Sequence, residues 1–241
     1  MAASARSTSS GVFRMLGVRR TAEGWRCGTE VAVQPLMRRQ NPASLIILSA
    51  AALLGFAATT RAVARRQTGE ADSEAREGLQ SLRTEVVDQG ARGAGPIGKE
   101  WLHAPVSGVL SLLLWTRGAG GVQACVPLLA SCTSELLNRL VEARLHIRAV
   151  PPGHPEKGKP SYPSGHAMET TAVALASAYA LSRERLISAP AAFAVAVVLS
   201  VVSSAGRLFL DRHWLSDAVG GTLLGLSTAA ACAAVYESSA T

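Results

Sequence analysis

Leu186–Gly206 reads LISAPAAFAVAVVLSVVSSAG, 21 consecutive residues without a charge. At 1.5 Å rise per residue, about 20 apolar residues cross a ~30 Å hydrocarbon layer as a helix. Moving outward, a polar loop (Arg207–Asp217) leads into Ala218–Tyr236, 19 uncharged residues. On the other side, Ala167–Ser182 is apolar apart from Glu169. Gly118–Ser134 is uncharged, holds Cys125 and Pro127, and reads on helically through ELLNRLVEARL. Trp101–Thr116 is uncharged and carries Trp115 near its end, a residue type that favours the membrane interface. Asn41–Thr60 adds a further 20 uncharged residues, including LIILSAAALLGFAA. The pattern predicts an all-α, integral-membrane bundle of about six helices, two of the shorter ones buried rather than lipid-facing.

Composition agrees. Of the 241 residues, 48% are apolar and 17% charged, against about 25% charged in soluble domains. A disordered chain and a disulfide-stapled miniprotein are excluded, and a soluble enzyme is disfavoured. The net charge of +7 is unevenly spread. Residues 1–66 hold ten Arg and two Glu, so the remainder is close to neutral. A nucleic-acid partner would need a basic patch on the folded part, so none is expected. Cys27, Cys125, Cys132 and Cys232 have neither C-x-x-C nor zinc spacing and read as small apolar residues.

Four segments follow. Residues 1–40 form a basic tail rich in Arg, Ser and Ala, with Glu23 its first acid. It reads either as an organellar transit segment or as a basic tail of a bacterial inner-membrane protein. Residues 41–66 are the first span and its flank, with Arg61, Arg65 and Arg66 close behind it. Residues 67–100 are a polar linker, predicted to hold an amphipathic helix over 71–87 with Ala75, Leu79, Leu82 and Val86 on one face. The glycines at 90, 93, 95 and 98, with Pro96, are expected to end it. Residues 101–241 are the membrane core.

Two loops are rich in reactive groups. The first contains Pro163-Ser164-Gly165-His166 at the start of an apolar run. Ser164 suits an N-cap. Free N–H groups at a helix start bind anions, and His166 is placed there to move a proton near neutral pH. The second is GRLFLDRHWLSDAVGG. His213 and Asp217 are four apart, so on a helix starting near His213 they share a face. A carboxylate on one ring nitrogen fixes the tautomer and raises the basicity of the other. Arg207 is a permanent cation that can grip phosphate oxygens. Phosphoryl transfer needs a nucleophile, an orienting base, a proton donor and cations, and no metal or cofactor is required.

With these residues in hand, the chain resembles the type 2 phosphatidic acid phosphatases, which are related in their site to vanadium haloperoxidases. That family carries Lys-x6-Arg-Pro, Pro-Ser-Gly-His and Ser-Arg-x5-His-x3-Asp. The second block is complete here, and the third differs only in Gly206 at its leading Ser. The resemblance covers roughly 101–236. It implies that His213 attacks phosphorus to form a phosphohistidine, Asp217 orients it, and His166 protonates the leaving oxygen. Arg207, Ser164 and the Gly165 N–H would hold the phosphate. The first block has no match in NRLVEARLHIRAVPPG. Arg144 and Arg148, four apart, are expected to supply its charge in a shifted register, with Lys157 and Lys159 a second option.

The leading expectation is therefore an integral-membrane phosphatase of a lipid phosphomonoester or diphosphate. A family member serving as a structural subunit of a membrane complex is the alternative. A vanadium haloperoxidase and a transporter stand behind these. Asp211 and Arg212 are expected to be solvated, His103, His146 and His154 to lie in loops or at the interface, and Glu169 either to pair with an Arg of the first loop or simply to sit at the interface.

Overall fold

The structure, a computed structural model, describes residues 19–21, 24–26 and 39–240. The basic segment 1–40, with its transit-like reading, lies almost wholly outside them. The chain divides into Met1–Arg39 and Gln40–Thr241. In the first unit, β1 (Arg19–Thr21) pairs antiparallel with β2 (Gly24–Arg26), Arg20 opposite Trp25.

The second unit is all-helical among its described residues. α1 is Pro42–Ala64, α2 Gly69–Ser81 and α3 Glu85–Gly93. A 3-10 turn, Gly95–Gly98, leads into α4, Glu100–Thr116. α5 is Gly121–Ala124, α6 Val126–Glu142 and α7 Gly165–Arg183. α8 is Ala189–Phe209 and α9 Leu215–Ser239. Among the described residues, α1, α8 and α9 are long and apolar enough to cross a membrane. α4 and α6, 17 residues each, and α7 complete the bundle of six.

Local chemistry sets the ends. Asn41 caps α1, its side chain accepting from the Ala43 N–H at 3.0 Å, and Pro42 follows in the first turn, where its missing N–H costs nothing. The span read from Gly118 onward is broken at Cys125, because Pro127 is tolerated only where a new helix begins. The amphipathic helix expected over 71–87 is likewise two helices. Thr84 caps the second, accepting from the Val87 N–H at 3.2 Å. Leu82 and Val86 are exposed, and the buried residue of α2 is Asp72. The glycines do not stop α3, which runs through Gly90 to Gly93.

α7 forms the centre of the bundle and is buried along nearly its whole length. Its small residues permit close helix contact, as in other membrane bundles. The tightest approach is to α9. A Cβ on Gly221 would land on the Ser164 carbonyl oxygen, and one on Gly225 on the Met168 carbonyl oxygen. This four-residue glycine spacing seats the start of α9 against the start of α7, which brings the two reactive loops together. α1 packs along α9: Ser49 Oγ donates to the Ser227 carbonyl at 2.9 Å, and Thr60 Oγ1 lies 2.9 Å from the Tyr162 hydroxyl. The long helices alternate in direction, so segments 65–99, 143–164 and 210–214 gather at one end.

Candidate active site

At that end lies a cavity of about 550 Å³. It is lined by Gly165 and His166 from the head of α7, Arg207 from the tail of α8, and His213 from the loop before α9. Ser164 caps α7, its hydroxyl accepting from the Ala167 N–H at 3.4 Å, and it is fully buried. The first N–H groups of a helix lack intrahelical acceptors, so those of Gly165 and His166 are available to an anion. Among the described residues, Nε2 of His166 and Nε of Arg207 are buried without a hydrogen-bond partner.

His213 precedes α9 rather than lying within it, because Trp214 is the N-cap. Its Nδ1 is 2.9 Å from the Ser161 carbonyl oxygen. A carbonyl can only accept, so Nδ1 carries a proton, and in the neutral ring the lone pair is then on Nε2. The orienting hydrogen bond expected from Asp217 is thus made by the main chain. Asp217 is fully buried, with Oδ2 3.7 Å from His213 Nδ1. That is beyond hydrogen-bond length and within ion-pair range. The same oxygen accepts the Trp214 N–H at 2.9 Å, which ties the carboxylate to the helix end.

The cations of the cavity are Lys99, Lys159, Arg207 and Arg212. The structure does not bring Arg144 and Arg148 to it, which corrects the expectation that they hold phosphate. Arg144 is exposed at the end of α6. Arg148 is engaged elsewhere: its Nη1 donates to Asp72 Oδ2 at 2.6 Å and to Ser216 Oγ at 2.7 Å, and its guanidinium stacks 4.4 Å over the Trp214 ring. Lys157 is exposed and outside the lining, whereas Lys159 is within it.

Other residues also sit differently from expectation. Asp211 is buried and held by Arg76 through bonds of 2.8 and 3.1 Å. Arg212 lies 3.4 Å from His154 Nε2, and His154 is buried in the cavity wall. Burial, then the Arg212 charge, depress the His154 pKa below its ordinary 6.5. Burial raises Tyr162 to about 12, so it is a neutral hydrogen-bonding group. Glu169 pairs not with an arginine but with buried His103, at 3.5 Å. Gly206 also has a packing reason: it is buried, and a Cβ there would lie 3.3 Å from the Ala91 carbonyl oxygen of α3.

Fold and cavity together define an all-α membrane bundle with paired histidines and a cluster of cations at one end. The family model of the PAP2 superfamily matches residues 129–239. The fold is similar to the crystal structure of a transmembrane PAP2-type phosphatidylglycerolphosphate phosphatase from Bacillus subtilis. The TM-score is 0.65 at 22% identity, covering 75% of this chain and 92% of that one. No curated protein matches the sequence.

Proposed function

We propose that this protein is an integral-membrane lipid phosphate phosphatase working through a phosphohistidine. One observation carries the reading: the protonated Nδ1 of His213 is turned onto the Ser161 carbonyl, leaving Nε2 as a nucleophile in a cavity lined by cations. His213 Nε2 attacks phosphorus, and the bond from phosphorus to the alcohol oxygen breaks. His166 gives its proton to that oxygen. Water then attacks the phosphohistidine while His166 takes a proton from it, and the P–N bond breaks to release inorganic phosphate. Asp217 stabilises the positive charge that His213 gains. Arg207, the Gly165 N–H, the helix end capped by Ser164, Lys159, Lys99 and Arg212 surround the phosphate oxygens, an arrangement suited to the charge of the transition state.

A lipid alcohol is supported by a second, apolar cavity of about 360 Å³ between α4, α7 and α8. Thr170 in its wall lies one helical turn beyond His166, and His103 in its wall pairs with Glu169 in the wall of the first cavity. An acyl or prenyl chain would fill it while the phosphate lies above.

Phosphate release from phosphatidic acid, phosphatidylglycerophosphate and a polyprenyl diphosphate by detergent-purified protein, beside His213→Ala, tests the reading. Release that disappears in the variant is expected. Unchanged turnover in the variant would sink it. The unmatched first block favours the second reading, a structural subunit of a membrane complex. No release by the native protein from any lipid, together with recovery in a larger complex, would establish that reading instead.

A further inference from the structure

Arg148 is only 4.0 Å from Asp217 Oδ1, an oxygen buried without a hydrogen-bond partner among the described residues. That is the outer edge of ion-pair range, and a guanidinium that near could close to a hydrogen bond with the carboxylate. What keeps it from closing is Asp72. Only 2% exposed, Asp72 reaches from α2, outside the family-matched range, into the head of α9. Its Oδ2 accepts from Arg148 at 2.6 Å and from Ser216 Oγ at 2.9 Å, and its Oδ1 accepts the Ser216 N–H at 2.8 Å.

We infer that Asp72 is a positioning residue for the catalytic loop, acting through Arg148 and Ser216; this rests on the phosphatase reading above. Burying a carboxylate is costly unless it is paired and hydrogen-bonded. Here burial alone would raise its pKa, but the Ser216 N–H, Arg148 and nearby hydroxyls hold it below the usual carboxylate range. The charge therefore persists, and it serves two ends. It fixes Ser216, which sits between His213 and Asp217 in sequence. It also occupies Arg148, so that the charge of Asp217 is left facing His213. One turn further along α2, Arg76 grips Asp211 with two bonds. α2 thus clasps the His213 loop at both ends, Asp211 and Ser216. Arg148, in this arrangement, is a tethered cation rather than a phosphate ligand.

The test compares kcat and KM for phosphate release by the native protein, Asp72→Ala, Arg148→Gln and the double variant. Displacement of reacting groups by about 1 Å costs about 100-fold, so Asp72→Ala should lose roughly that in kcat with KM moved less than about threefold. Removing Arg148 as well should return kcat to within about tenfold of native, because the competing cation is gone. A purely structural role predicts the opposite, a double variant worse than Asp72→Ala. That result, or a kcat for Asp72→Ala equal to native, overturns the inference. Should Asp72→Ala fail to elute as a folded species, Asp72→Asn replaces it. Asn keeps an oxygen for the Ser216 N–H and loses the charge that holds Arg148, so an unchanged kcat in that variant also overturns the inference. An inactive native protein overturns the phosphatase reading and this inference with it. Loss confined to the Asp72 variants, beside an active native protein and a dead His213→Ala, separates the two.

Discussion

Asp217→Asn isolates what the carboxylate contributes once another group has set the histidine tautomer. Asn keeps an oxygen for the Trp214 N–H, so the helix end should hold. The variant removes one negative charge 3.7 Å from His213 Nδ1. At an effective dielectric of about 20, full unit charges at that separation interact by about 4.5 kcal/mol. A transition state in which His213 carries half of its new charge captures about half of that. At 1.36 kcal/mol per decade, half capture gives about 50-fold and full capture about 2 × 10³-fold in kcat. Where an aspartate itself fixes the tautomer, the loss is nearer 10⁴. The Ser161 carbonyl should spare this protein that further decade. Single-turnover phosphate release at saturating lipid measures the quantity directly. A loss beyond 10⁴ would mean that Asp217 sets the tautomer after all, and a loss below tenfold that it faces the wrong group.

The cavity cations should separate cleanly from the first-loop arginines. Arg212→Gln should raise KM about tenfold, as expected for one lost charged hydrogen bond, while exposed Arg144→Gln should stay within about twofold of native. Equal effects would contradict this assignment. Gly225→Ala places a methyl against the Met168 carbonyl and should cost roughly 1–3 kcal/mol of stability, read as a lower melting temperature in detergent. An unchanged melt would show that α7 and α9 can part freely. His154 supplies a pH test. Its folded pKa lies below the unfolded 6.5, so the folded state binds fewer protons, and stability falls as pH drops from about 6.5 toward the folded value. Native protein should therefore lose melting temperature on acidification more steeply than His154→Gln across that interval, and parallel curves would refute it.

The spans were legible because hydrocarbon imposes a simple rule, long runs without charge, and α1, α8 and α9 follow it closely. The reactive loops were legible because Ser164, His166, His213 and Asp217 keep short, fixed spacings on helix ends. What escaped was everything made by distant segments. Asp72 meets Ser216 across 144 positions, and no local pattern links them. Amphipathic reading of 71–87 looked for an apolar face, whereas the residue α2 buries is a carboxylate. The unmatched first block has Arg144 and Arg148 as its nearest cations in sequence. Yet the wall gains positive charge from Lys99 before α4, Lys159 late in the loop, and Arg212 beside His213. Electrostatic need can be met from any direction in space, so a missing cation in a motif says little about the charge of the finished cavity.

The carbonyl of Ser161 has a consequence for how such proteins can be surveyed. Every amino acid brings a main-chain oxygen to position 161, so exchanging that side chain leaves the His213 partner chemically intact. Alanine scanning would pass over it, and comparison of sequences would leave it unmarked. Only a change in backbone path, by insertion or deletion nearby, could remove it. Part of what sets the tautomer of this histidine is thus inherited as a shape rather than as a letter.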